Sequence, residues 1–188
     1  MPDPHEPPAP IAVVGLGNVL MGDDAFGPYV VQVLLAGYEF PPEVEVVDLG
    51  TPGLDLTPHV SDRRALILVD TVNSAGKPGE LRSYSREDVL RHPPQTRLSP
   101  HDPGVKEALL LADLEGRGPE YVRLLGVIPA STATGVGLSP AVEAAVPETL
   151  GRVLDVLTEL GVRVVKRERP APPDLWWQSP AGPPGELM

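Results

Sequence analysis

Three short segments of this 188-residue chain carry the side chains best suited to chemistry: Gly15–Gly27 (GLGNVLMGDDAFG), Leu68–Val72 (LVDTV) and Leu98–Gly104 (LSPHDPG). Asp70 closes an otherwise apolar run. A carboxylate buried in such a place requires hydrogen-bond donors or a metal ion. Asp23 and Asp24 precede a helix, where an aspartate that accepts orphan backbone N–H groups is worth about 1 kcal/mol. One acid suffices for that cap, which leaves the other to face a crevice. His101 follows Ser99-Pro100 in a loop, where an imidazole is either solvated or a ligand. Two carboxylates from different segments plus this imidazole form an O,O,N donor set. Such a set suits a divalent ion such as nickel or zinc, with coordination positions left open. The chain has no cysteine, so disulfides, thiolate metal sites and a cysteine nucleophile are excluded.

These residues need elements to position them, and the pattern alternates strand and helix. Ile11–Gly17 (IAVVGLG) is a continuous apolar run closed by glycine, as in a strand buried on both faces. Gly27–Ala36 follows with helical spacing and a first-turn proline, Pro28. Val44–Leu49 is a second strand, followed by the Gly50–Gly53 loop and a short helix to about residue 60. Ala65–Thr71 is a third strand, ending at Asp70. Gly79–Tyr84 reads as an edge strand running antiparallel. Val105–Leu114 is a helix and Tyr121–Ile128 a strand. Ser139–Leu160 reads as one long amphipathic helix, with Ser139 as its N-cap and Pro140 in its first turn. This order specifies an α/β fold of three layers, a mostly parallel twisted sheet with helices on both faces. In such folds the ligand site lies at the carboxyl ends of the strands, which makes the strand ends the place to look for chemistry.

The strand–Gly-x-Gly–helix opening invites a dinucleotide reading, but G-x-G-x-x-G from Gly15 requires glycine where Leu20 stands. Asp23 and Asp24 would also occupy the positive end of the helix and repel a pyrophosphate. A net charge of −11 disfavours nucleic acid and anionic membrane surfaces as partners. No apolar run approaches the roughly 18 residues of a membrane-spanning helix. The first ten residues lack the basic and apolar regions of a signal peptide, so the expected location is cytoplasmic. Residues 1–10 read as a flexible tail, 11–163 as one α/β domain and 164–188 as a proline-rich tail that resists packing. Trp176 and Trp177 in that tail are either incidental or docked on the domain or on a partner.

The same segments resemble the hydrogenase maturation endopeptidases, which trim the C-terminal extension of the nickel–iron hydrogenase large-subunit precursor. The similarity runs over roughly residues 11–162. It rests on IAVVGLGNVLMGDDAFGP, the glycine–asparagine–acidic opening, together with DLGTPGLDL, LILVDTV, SPHDPG, LLGVIP and GVGLSPAVEAAV in that order. Carried across by position, the resemblance implies that Asp24, Asp70 and His101 are the metal-binding and catalytic residues. It further implies that the metal is nickel already seated in the precursor, not a resident ion, and no organic cofactor is implied. Asn18 and the Gly50–Gly53 loop would shape the groove. Ala25 stands where many relatives have glycine, and Pro103 replaces a usual apolar residue beside His101. Competing readings are a nickel-dependent assembly module that binds the loaded subunit without cutting it, and a nucleotide-binding α/β protein.

Overall fold

The computed structural model describes residues 8–52, 56–91 and 102–178. The elements in chain order are β1 (Ile11–Leu16), α1 (Phe26–Gly37), β2 (Tyr38–Glu39), β3 (Val44–Gly50), α2 (Thr57–Val60), β4 (Ala65–Thr71), β5 (Leu81–Ser85), α3 (Arg86–Arg91), α4 (Asp102–Leu114), β6 (Tyr121–Val127), α5 (Pro140–Glu143), α6 (Val146–Glu159) and β7 (Val165–Lys166). The main sheet has the order β3-β1-β4-β6-β5. Its first four strands run parallel, and β5 closes the edge antiparallel to β6, as the sequence predicts.

Every residue of β1 and of β4 is buried, which is why both read as unbroken apolar runs. Alternate side chains then serve opposite layers. Ile11, Val13, Ile67 and Val69 pack with Phe26, Val30 and Leu34 of α1 and with Val153 and Leu157 of α6. Ala12, Val14, Leu66 and Leu68 pack with Val60 of α2, Val89 of α3 and Val105 and Leu109 of α4. The three-layer α/β/α architecture follows directly.

Two local expectations are corrected. The helix expected over Ser139–Leu160 is two helices, α5 and α6. Pro147 lies in the first turn of α6. It has no N–H to give and its ring crowds the carbonyl four residues back, so α5 stops after one turn. Ser139 is not a side-chain cap for α5, since its hydroxyl is engaged elsewhere. Past residue 163 the chain continues along the domain. β7 pairs antiparallel with β2, and the Ala171 N–H donates to the Ala36 carbonyl. Trp177 is buried in the chain while Trp176 is 64% exposed, their rings meeting edge to face at 5.8 Å. No helix of the described residues is long and apolar enough to cross a membrane.

Candidate active site

β1 lies between β3 and β4. The chain leaves β1 into α1 on one face of the sheet, whereas beyond β4 it builds β5 together with α3 and α4, both packed on the other face. Connections diverging in this way open a crevice at the strands' carboxyl ends. The segment after β1 enters it first. Gly17 sits at φ 145°, and a Cβ there would lie 1.8 Å from the Asp24 carbonyl oxygen, so the chain folds back on itself only with glycine. The Gly17 N–H donates to the Gly50 carbonyl, which ties this turn to the end of β3. Asn18 then shapes the loop. Its side-chain oxygen accepts the Leu20 N–H, and its own N–H donates to Asp24 Oδ2 at 2.8 Å.

Asp23 and Asp24 lie on a single 3₁₀ turn, Gly22–Ala25. Neighbours on such a turn point about 120° apart, so the two acids serve different partners. Neither caps a helix: no side-chain cap bond forms at the start of the 3₁₀ turn or of α1. Asp23 reaches the loop after β6. Its carboxylate accepts the N–H groups of Ala130 (2.7 Å), Ser131 (3.0 Å) and Ser139 (2.6 Å), and the Ser139 hydroxyl at 3.0 Å. The Asp23 N–H donates in turn to the Ser131 carbonyl, and Gly22 and Gly135 bond the two loops together. Asp23 is a structural knot, and Ser139 is part of it.

Asp24 reaches the end of β4. It is 6% exposed, and its Oδ1 accepts the Thr71 hydroxyl at 3.1 Å. Asp70 is fully buried at the end of β4, where its Oδ1 accepts the Thr71 N–H at 2.7 Å. Thr71 therefore bonds both acids, Asp70 through its N–H and Asp24 through its hydroxyl. Thr71 also lines a cleft of about 290 Å³ walled by Val72, Asn73, Ile128 and Pro129. His101, the third expected ligand, lies outside the described residues, as does Gly53 of the groove loop. Among the described residues no three histidine or acidic side chains are grouped to hold an ion.

The sequence reading missed Thr71 and the Asp23 knot. A hydroxyl directly after a strand-closing acid is the signal for the first. For the second, only the doubling of the acid hints at a division of labour.

Asp48 lies on β3, beside β1 at the same end of the sheet. Burial raises its carboxyl above the usual range, against the pull of the Gly50 N–H that it accepts at 2.8 Å. A raised folded-state value means that the fold favours the protonated acid. The contribution to stability is full below the unfolded value near 4 and is lost as pH rises through the folded one. Asp48→Asn keeps an acceptor and carries no charge. It is expected to melt roughly 1–3 °C above the parent at pH 7, a gap that closes as pH falls toward 3, in paired thermal melts. A gap independent of pH would dismiss the charge as its cause.

A mostly parallel sheet with a crevice at the carboxyl ends of its strands defines an α/β protein of the class that carries its ligand site at the topological switch point. The model of the hydrogenase maturation protease family matches residues 28–156. The hydrogenase 2 maturation protease of Escherichia coli (strain K12) is 36% identical over 162 residues, covering 84% of this chain and 96% of that protein. The hydrogenase expression/formation protein HoxM of Cupriavidus necator is 35% identical over 158 residues, 84% of this chain and 78% of its own. Among solved structures, the hydrogenase maturating endopeptidase HybD from E. coli superposes with a TM-score of 0.77 at 35% identity. That match covers 84% of this chain and 97% of the other. The chain belongs to the hydrogenase maturation protease family and is an endopeptidase.

Proposed function

We propose that this chain removes the C-terminal extension from the nickel-loaded precursor of a nickel–iron hydrogenase large subunit, and that Asp24, Asp70 and His101 grip the nickel the precursor carries. The observation that supports it best is that Asp24 and Asp70, from separate segments, both hydrogen-bond Thr71 at the end of β4. A substrate-borne cation would add a charge partner to these two buried, hydrogen-bonded carboxylates. His101 directly precedes α4, and α4 packs on the face of β4 that Asp70 shares with Leu66 and Leu68.

In this reading the precursor's nickel docks the scissile peptide in the cleft beside Thr71. The ion or a neighbouring carboxylate activates a water that attacks the carbonyl. The ion is part of the substrate, so cutting waits for nickel insertion. The work takes place in the cytoplasm, without nucleic acid, membrane or organic cofactor. Purified protein is expected to shorten a nickel-loaded precursor and leave a nickel-free one at full mass, read by mass spectrometry. Equal cleavage of both would refute nickel checking.

A further inference from the structure

We propose that Thr71 is a positioning residue that sets the ion-gripping geometry by holding Asp24 and Asp70 in one arrangement. The inference rests on the reading that these acids grip an ion. Its basis is a single residue making two bonds of different kinds. The backbone N–H of Thr71 donates to Asp70 Oδ1 at 2.7 Å, and its hydroxyl donates to Asp24 Oδ1 at 3.1 Å. The N–H bond survives any substitution except proline. The hydroxyl bond belongs to threonine or serine alone.

Thr71 is itself immobile enough to serve as a template. It is 1% exposed, it pairs with Val127 in the ladder between β4 and β6, and the next N–H, that of Val72, donates to the Val127 carbonyl. A β-branched side chain on a strand has few rotamers, so its hydroxyl has a fixed direction. Asp24, by contrast, sits on a 3₁₀ turn outside the sheet. With Asn18 N–H on Oδ2 and the Thr71 hydroxyl on Oδ1, the carboxylate is held at both oxygens, and its plane is set relative to β4. Partners behind a metal ligand fix its orientation in this way, and their loss typically costs about 10–100-fold in metal affinity or activity. The threonine orients the acids and transfers no proton, so the effect falls on ion binding and on the rate of the docked complex.

Thr71→Val conserves shape and deletes the hydroxyl, and Thr71→Ser restores it. Calorimetric titration with Ni²⁺ alone is expected to show Thr71→Val binding at least about 10-fold more weakly than the parent, and Thr71→Ser within about 3-fold of it. In cleavage of the nickel-loaded precursor, kcat should fall by a similar factor for valine and recover for serine. Thermal melts of the three proteins establish that each is folded. Nickel binding by Thr71→Val as tight as the parent's, with Asp24→Asn losing it, overturns the role of Thr71 and leaves the ion site standing. Serine as weak as valine also overturns it, because packing would then be the cause. A folded parent that takes up no Ni²⁺, with an Asp24→Asn variant that still cuts, sinks the ion-gripping reading and this inference with it.

Discussion

Asp70→Asn and Asp24→Asn proteins are expected to leave a nickel-loaded precursor uncut, their rates down by roughly 1,000-fold or more, while still folding. Polarisation of a reacting group by a metal is worth several kcal/mol, and about 4 kcal/mol corresponds to a factor near 1,000 in rate. The substitutions preserve what the fold uses. An asparagine at position 70 can still accept the Thr71 N–H, and one at position 24 can still accept the Asn18 N–H, while the Thr71 hydroxyl can turn to accept from the new amide. The apolar run Ala65–Val69 that anchors β4 is untouched. His101→Ala is expected to lose activity to a similar degree. Precursor mass against time measures the loss, and thermal melting measures the fold. An Asp70→Asn enzyme cutting at the parental rate would remove Asp70 from the site.

The contrast with Asp23 shows why the neighbouring acids are not interchangeable. Asp23 holds three N–H groups and a hydroxyl from the segment 130–139, so its loss releases a loop instead of a ligand. A variant at Asp23 is therefore a statement about stability and loop position. Under the proposed function a variant at Asp24 is a statement about chemistry.

How far the sequence carries follows from what each element is made of. β1 and β4 are legible because a strand buried on both faces leaves an unbroken apolar run, and the strand ends locate Asp24 and Asp70 without coordinates. β5 is legible as an antiparallel edge from the Gly/Pro turn before it and its place in the order. The division of Ser139–Leu160 is written in Pro147 but obscured by apolar spacing that continues across the break. The Asp23 knot is beyond reading in one dimension. Its partners lie more than 100 positions away, and nothing in Ser131 or Ser139 marks them as donors to that acid. The packing of the chain past 163 is hidden by prolines, which discourage regular structure but leave Val165–Lys166 able to pair with β2 and Trp177 able to bury its ring.

Gly27→Ala is expected to be a severely damaging single-methyl change. An ideal Cβ at Gly27 would lie 2.2 Å from the Leu16 carbonyl oxygen, 2.4 Å from the Val69 carbonyl oxygen and 2.6 Å from the Leu16 nitrogen. All three are backbone atoms of β1 and β4, which cannot turn aside as a side chain would. Gly15 faces the same contact from the other side, its own added Cβ falling 2.5 Å from the Gly27 carbonyl oxygen. The first turn of α1 therefore rests directly on strand backbone. Making room for a methyl requires α1 to lift by about an ångström, which loosens Phe26, Val30 and Leu34, all fully buried. Overpacking that flexible side chains can absorb costs about 1–3 kcal/mol, and a clash against backbone belongs at or above the top of that range. At roughly 2–4 °C per kcal/mol for a chain of this size, the melting point should drop by about 6–12 °C. The displacement also moves the 3₁₀ turn that carries Asp24, so cleavage per folded molecule should fall together with stability. Gly151→Ala is the matched control. It lies inside α6 with nothing within 4 Å of its added Cβ. Alanine there gains helix propensity of about 1 kcal/mol, so that variant should melt slightly above the parent and cut normally. A Gly27→Ala protein that melts with the parent would mean that α1 does not sit on the strand ends, and with it would go the placement of Asp24 against Thr71.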